Sequence, residues 1–551
     1  METFAQIVVS RAGDDAPGLC FEERTWTWDQ VLREGAVRAA ALRSAGAAPE
    51  RRQVHVGVLL ENVPDYVFWI VAASLADAVV VGLNASRSAV EIAQDARHAD
   101  IDLVVTEPRL AHLAADIDGV RIHDIESPGY ADWLAPHRSA EVVARSELAS
   151  PDSLAMLLFS SGSTGAPKAV IVSQGRLGRL TGTIAERIRI RRDSVTYLCM
   201  PLFHGNAVMM NLAPAMSRGA TVAMTRKFSA SGFAADIHRH RATYVNYVGR
   251  ALSYVLTRPE GPRDRTSTLE LAFGTEASEA DVRQFGERFG CEVMEGYGLS
   301  EGVFRINRTP DTPVGSLGLP AGGVDVRVYD ETTGEECPRA RFDAGGRLVD
   351  ATAVGQMVAV GAAPTFEGYY MNPGAMADRV HGDDFWSGDL AYRDEAGYFY
   401  FAGRSSDWLR VDSENFSAAP VERVIQRLPW VAAAPVYAVP DPRTGDNVMV
   451  AIELEPSCSF DPAAFGEFLA AQPDFGAKWW PTYVRVVDRM PLTGSGKIDK
   501  APLRRAAWQT ADPVWVRVGR TATYEPLDAE GRSRITAETA MHRGGAQAPT
   551  H

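Results

Sequence analysis

The residues best suited to chemistry lie in one interrupted stretch, Leu157 to Ser173, where the apolar run LLF breaks into SSGSTGAPK before resuming as AVIVS. That composition is a phosphate cradle. Small residues, Gly162 and Gly165 among them, let backbone N–H groups approach a polyphosphate. Ser160, Ser161, Ser163 and Thr164 add hydroxyl donors, and Lys168 supplies a cation. A stretch this rich in Gly and Ser also reads as a surface linker, but the flanking strand-like runs weigh against that. Walker A does not fit, because Ala166 and Pro167 separate Gly165 from Lys168 and Ala169 to Val172 reads as a strand rather than a helix start. The loop therefore joins two strands. A second glycine-bearing stretch, GYGLSE from Gly296 to Glu301, has glycines at 296, 298 and 302 and misses the dinucleotide spacing G-x-G-x-x-G by one. Taken alone, His204 in PLFHGNA reads as a loop histidine, Asp389 in WSGDL as a turn former, and Lys497 in PLTGSGKIDK as a charged loop tip.

Taken in order, these pieces resemble the acyl-activating adenylate-forming superfamily, which includes acyl-CoA synthetases, peptide-synthetase adenylation domains and beetle luciferases. The resemblance covers about Val54 to Asp528. FHGNA, ATYVNYVGR, DPVW at 512–515 and YEPLD at 524–528 are most similar to the fatty-acid-transport-protein type of very-long-chain synthetase. It implies ATP, Mg2+ and coenzyme A as reaction partners, with Lys497, Lys168, Thr164 and Glu301 as catalytic residues. The nucleotide would be held by Ser160 to Gly165 and Lys168. Thr275, Glu276, Gly296 and a stacking Tyr297 would take its base, Ser300 its α-phosphate, and Asp389 and Arg404 its ribose, with Glu301 as the Mg2+ ligand. His204, Tyr247, Val248, Gly249, Gly274 and Gly298 would line the acyl pocket. Arg410, Ser413, Glu414 and Asn415 would present the CoA loop, and Asp407 would be the hinge. Ser300 stands where the family has Thr and keeps the hydroxyl, whereas Arg410 replaces a Lys, Ser413 a Gly and Gln174 a His.

Such residues need elements to hold them. From Val54, short β-branched runs (HVGVLL, AVVVGLN, DLVVTE) alternate with helix-length segments, the βαβ rhythm of a parallel sheet. The rhythm returns after the cradle in VTYLCMPLF, ATVAMT, ATYVNYVG and LELAFGTEA. Ligands in such sheets sit beyond the carboxyl ends of the strands. The expected fold is α/β, with a large N-terminal domain at 1–406 that includes a β-rich subdomain at about 324–404. A small mobile α+β domain at 407–528 follows, then a disordered tail at 529–551. The apolar span Tyr66 to Leu83 is broken by Asp77 and flanked by Pro64 and Asn84, so it reads as a buried helix and strand rather than a membrane span.

A length of 551 residues requires several cores. The net charge of −14 argues against a nucleic-acid partner. Cysteines at 20, 199, 291, 337 and 458 form no C-x-x-C pair, and METFAQIVVS lacks the form of a signal peptide, so a cytoplasmic protein with reduced thiols is expected. The resemblance implies that a carboxylic acid is activated by ATP to an acyl-adenylate and passed to CoA. Gly205, Gly249 and Gly274 are expected to widen the pocket for a long-chain or polycyclic acid. Ser413 and Gln174 keep open an enzyme of one half-reaction, or one that transfers to a carrier protein. Intact Lys168, Glu301, Asp389, Arg404 and Lys497 argue against a silent relative. The oligomeric state stays open, with a homodimer among the alternatives.

Overall fold

The computed structural model describes residues 2–46, 53–143, 148–160, 168–249, 251–277, 279–309, 311–343, 348–404, 408–411, 414–440, 446–472, 475–476, 478–494 and 496–544. Contacts divide the chain into two compact units: 1–308 with 362–383 and 494–497, and 309–361 with 384–493 and 498–551. The architecture is α/β, as the alternating runs require.

The first unit carries strands β1 (Pro17–Phe21), β2 (Arg24–Thr27), β3 (His55–Leu59), β4 (Val79–Gly82), β5 (Leu103–Thr106), β6 (Arg121–Asp124) and β7 (Leu154–Ser160). It continues with β8 (Lys168–Ser173), β9 (Val195–Leu198), β10 (Thr221–Met224), β11 (Tyr244–Val248), β12 (Leu271–Thr275), β13 (Glu292–Gly298) and β14 (Arg305–Asn307). One sheet runs β6-β5-β3-β4-β7-β8, parallel except for β7 against β8. Another runs β14-β13-β12-β11-β9-β10-β1-β2, parallel except for β2 and β14. Every residue of β3, β4 and β5 is buried, which is why these strands are nearly continuous apolar runs, broken only by His55 at the start of β3 and Thr106 at the end of β5.

The helix Pro64–Ala76 is buried along its length from Tyr66 to Leu75. Proline opens it, and Asp77 in the left-handed region (φ 51°) ends it before β4. Its 13 residues fall short of the roughly 20 that span a bilayer. Among the described residues no helix is long and apolar enough to cross a membrane.

In the second unit the glycine-rich stretch forms antiparallel strands Val326–Tyr329, Gly355–Ala359, Asp384–Arg393 and Phe399–Arg404. A six-stranded sheet follows, with the helices Ala418–Ile425 and Pro462–Ala471 supplying one core through Val421, Ile425, Phe465 and Leu469. A second core joins Tyr437, Met449, Leu503, Trp508 and Ile535. That last residue corrects the expected disordered tail over 529–544, which is a helix. Ile535 is buried, Arg532 donates to the Asp512 carbonyl at 3.1 Å, and Trp508 Nε1 donates to Thr536 Oγ1 at 3.0 Å. A polar, alanine-rich composition hid this helix. All five cysteines are free thiols.

Candidate functional site

Antiparallel pairing of β7 with β8 sets Ser160 opposite Lys168, so the chain leaves and re-enters the sheet at one point, as a loop between strands requires. Ser161, Gly162, Ser163, Thr164 and Gly165 lie outside the described residues, as do Asp407 and Ser413. Lys168 is buried, its Nζ 3.9 Å from an Asp378 carboxylate oxygen and 5.9 Å from the Tyr369 ring centroid. Tyr369 arrives on a segment laid along β8. Val170 bridges Tyr369, the Tyr370 N–H donates to the Ala169 carbonyl at 2.8 Å, and the Ile171 N–H donates to the Gly368 carbonyl at 3.0 Å. The Tyr369 phenol donates to Glu301 Oε1 at 2.5 Å, and both residues are buried. Burial, and then the Glu301 charge, push this phenol well above its ordinary range. One aromatic side chain thus spans the cation and the carboxylate proposed for the reaction.

Arg176, buried in the helix Gln174–Arg187, fixes the turn that bears Glu301. It donates to the Ser300 carbonyl at 2.6 Å and to the Ile171 carbonyl at 2.9 Å. Gly302, at φ 68°, has no room for a Cβ, which would fall 2.3 Å from Arg176 Nη2. Glu367 completes the buttress by accepting from the Ser173 N–H at 2.8 Å and from its hydroxyl at 2.5 Å. Tyr297 packs against Phe304 at 6.0 Å between centroids.

The tip Gly494–Lys497 belongs to the same unit. Lys497 pairs with Glu276, which follows β12 and holds a left-handed φ of 70°. Gly249, after β11, donates its N–H to the Thr275 carbonyl at 3.0 Å, and its φ of 60° lets the Gly496 carbonyl approach. Gly494 abuts Asn84 and Ser86 beyond β4. His204, beyond β9, is pushed down to about 4 by burial and secondarily by the Lys497 charge, so its ring is neutral at pH 7. All these groups gather at carboxyl ends of parallel strands, where open α/β sheets bind ligands.

The pocket glycines serve a different purpose from the one expected. A Cβ at Gly205 would lie 2.9 Å from Leu158 Cδ1, one at Gly274 would lie 2.5 Å from the Tyr247 ring, and one at Gly249 would lie 2.9 Å from the Gly496 carbonyl. These three permit close packing and do not widen anything. Gly298 alone among the expected pocket glycines faces open space, with nothing within 4 Å of a Cβ. Tyr247 and Val248 are buried on β11, and the Tyr247 hydroxyl donates to Glu295 at 3.2 Å. Behind them a π-helical turn, Val208–Leu212, is tied to β11 by polar side chains. Asn246 donates to Asn206 at 2.6 Å and accepts from Asn211 at 2.8 Å.

In the second unit Asp389 is buried and lies opposite Arg404 across the strand pair. Its N–H donates to Ser387 Oγ at 3.1 Å. Arg410 pairs with Asn415, and Val411 with Glu414, in the hairpin of strands Trp408–Val411 and Glu414–Ser417. Sequence reading missed Arg176, Glu367, Tyr369, Asn84 and Ser86. EGYY at 367–370, a tyrosine pair set just before a helix, was the only available signal.

A family model described as AMP-binding enzyme matches residues 6–370, and one described as AMP-binding enzyme C-terminal domain matches 420–497. Steroid-22-oyl-CoA synthetase of Rhodococcus jostii is 45% identical, covering 100% of this chain and 99% of its own. Medium/long-chain-fatty-acid–CoA ligase FadD17 of Mycobacterium tuberculosis is 44% identical, covering 93% of this chain and 98% of its own. The crystal structure of ATP-bound MatB from Rhodopseudomonas palustris matches with a TM-score of 0.78 at 22% identity, covering 91% of this chain and 98% of that one, and shows the fold.

Proposed function

We propose, from the premise that this chain belongs to the AMP-binding enzyme family and is an acyl-CoA synthetase of the adenylate-forming superfamily, that it activates a large hydrophobic carboxylic acid in two steps. In the first, a carboxylate oxygen attacks the α-phosphorus of ATP and pyrophosphate leaves. In the second, the CoA thiolate attacks the acyl carbon, a C–S bond forms and AMP leaves with the former carboxylate oxygen. The observation that carries the reading is the set of opposed charges at the strand ends: Lys168 and Glu301 bridged by Tyr369, with Lys497 seated on Glu276.

In this reading Lys168 and the cradle hold the phosphates, and Lys497 leaves Glu276 to balance charge at the α-phosphate. Tyr297, Thr275 and Glu276 hold the adenine end, and Asp389 with Arg404 holds the ribose. Phosphoryl transfer of this kind is catalysed by positioning and by preorganised charge. Glu301 suits Mg2+, a hard cation that takes one or two carboxylates plus phosphate oxygens. When bound there, it would neutralise phosphate charge. Among the described residues no cluster of three or more His, Cys, Asp or Glu side chains forms a cage of its own. The two relatives' names, for a steroid acid and for medium- to long-chain acids, support the size and apolar character of the substrate. Asp407 is the hinge of this reading, with 1–406 and 407–528 as its domains, in a cytoplasmic enzyme.

Pyrophosphate release across acids from acetate to steroid side-chain acids, with and without CoA, tests the proposal. Saturable turnover of large acids to acyl-CoA is expected. A higher kcat/KM for acetate or propionate would overturn the substrate class, and adenylate without acyl-CoA would limit the enzyme to one half-reaction.

A further inference from the structure

Two arginines on one face of the second sheet have no counter-ion among the described residues. Arg187, in the last turn of its helix, lays its guanidinium over the Phe273 ring with Cζ 5.0 Å from the centroid. Its Nη2 would lie 3.2 Å from a Cβ at Gly296. Across the strands Arg305 pairs with Gly298 and Asn307 with Gly296, so both flank the same glycine-bare patch. Phe273 pairs with Met294, two residues before Gly296, which puts all of them on one face. Gly298 is exposed, with nothing within 4 Å of a Cβ.

Neither arginine makes a hydrogen bond or ion pair among the described residues, and the Asn307 side-chain oxygen is buried without a partner. Other arginines of this unit that are buried or partly buried are paired: Arg38 with Asp65 at 2.6 Å, Arg226 with Glu107 at 2.5 Å, and Arg288 with Asp264 at 2.8 Å. Burial, and then the Arg305 charge, push the Arg187 guanidinium below its ordinary value. A guanidinium cannot shed its charge, so pressing hydrocarbon against it leaves a desolvated cation unpaired. An acceptor oxygen arriving with the ligand removes that penalty.

We propose that Arg187 and Arg305 form a polar subsite on the Gly298 side of the acyl pocket, the sheet face opposite Tyr247 and Gly274, for an acceptor oxygen, carbonyl or carboxylate, carried by the acid at a distance from the carboxyl that reacts. This rests on the reading of the chain as a ligase for large acids. The Phe273 ring beneath Arg187 supplies an apolar wall for a ring system, and the two guanidiniums supply the polar end. The site selects a large acid with a second oxygen function over an unsubstituted hydrocarbon acid of the same size.

The test compares wild type, Arg187→Met, Arg305→Met and Arg305→Lys on a matched pair, a steroid side-chain acid with a ring ketone and its deoxy counterpart. Initial rates and calorimetric binding are measured for both. Wild type should prefer the ketone acid. In each Met variant the kcat/KM ratio should fall about ten- to hundredfold, the size of a lost hydrogen bond to a charged group, with Arg305→Lys between. Equal losses on both acids would make the arginines structural and overturn the subsite. A raised KM for ATP or CoA with the ratio unchanged would assign them to phosphate, with the same consequence. Wild type turning over both large acids equally would sink the subsite and leave the large-acid reading standing. Wild type refusing both while accepting short acids would sink that reading itself.

Discussion

Gly249 shows how much one missing side chain can decide. Its φ of 60° strains any L-residue, and a Cβ there would meet the Gly496 carbonyl at 2.9 Å, next to Lys497. Gly249→Ala is expected to cost about 1–2 kcal/mol from the backbone conformation. It should also unseat the tip, lowering pyrophosphate release at least tenfold while the thermal midpoint drops only a few degrees. A midpoint shift with no loss of rate would mean that the tip does not act from this seat. His204 makes a different prediction. Its folded value of about 4 lies below the ordinary 6.5, so the unfolded chain binds the extra proton between those values. The stability contributed by a neutral His204 is therefore whole above pH 6.5 and lost as pH falls toward 4, up to roughly 3 kcal/mol. Melting of wild type and His204→Gln from pH 7 to pH 4 should show the difference shifting toward the variant, and a constant difference would contradict it.

Among the elements, the segment Glu367–Tyr370 beside β8 holds more of the site than its length suggests. Tyr369→Phe keeps the ring near Lys168 but strips Glu301 of a buried donor, which costs about 1–2 kcal/mol. The expected result is a loss of about tenfold in kcat/KM for ATP with a raised Mg2+ requirement, read from initial rates against Mg2+ concentration. An unchanged Mg2+ curve would mean that Glu301 does not depend on this bond. The strands of the first parallel sheet were legible because β3, β4 and β5 are apolar except for His55 and Thr106 at their ends, and the hairpin at Ser160 and Lys168 because a Gly/Ser loop interrupts two such runs. Tyr369 and Arg176 were not, since their partnerships join distant stretches: the Ser173–Glu367 bonds span 194 residues and Arg176–Ser300 spans 124. Composition likewise cannot say what fills the space beside a glycine. Gly274 and Gly205 looked like openings until Tyr247 and Leu158 were seen to occupy them. The helix 529–544 escaped notice because its sequence, AEGRSRITAETAMHRG, carries too few large apolar residues to show an apolar stripe, although Ile535 is buried.

At the scale of the molecule, sequence order and packing part company at the tip. Gly494–Lys497 groups with the first unit, whereas Thr493 and Ile498 on either side group with the second. Among the described residues the seat includes Gly494 against Asn84 and Ser86, Gly496 against Gly249, and an ion pair in which Lys497 and Glu276 are 34% and 45% exposed. Exposed pairs of this kind contribute little, so a reacting phosphate can take the lysine from Glu276 at small cost. Lys497→Ala is therefore expected to lower acyl-adenylate formation by about 10²–10³, the usual loss when one preorganised charge is removed from a transition state. Folding should be unaffected, because the side chain lies on a partly exposed tip and anchors no core. The same variant should convert pre-made acyl-adenylate and CoA to acyl-CoA at close to the wild-type rate, since the charge developing in that step is not at the site of phosphoryl transfer. Single-turnover assays of the two half-reactions separate these outcomes. If both fall together, Lys497 serves the docking of the tip in general. If adenylate forms normally, the cation for the α-phosphate must be Lys168, and the seat on Glu276 is where Lys497 remains.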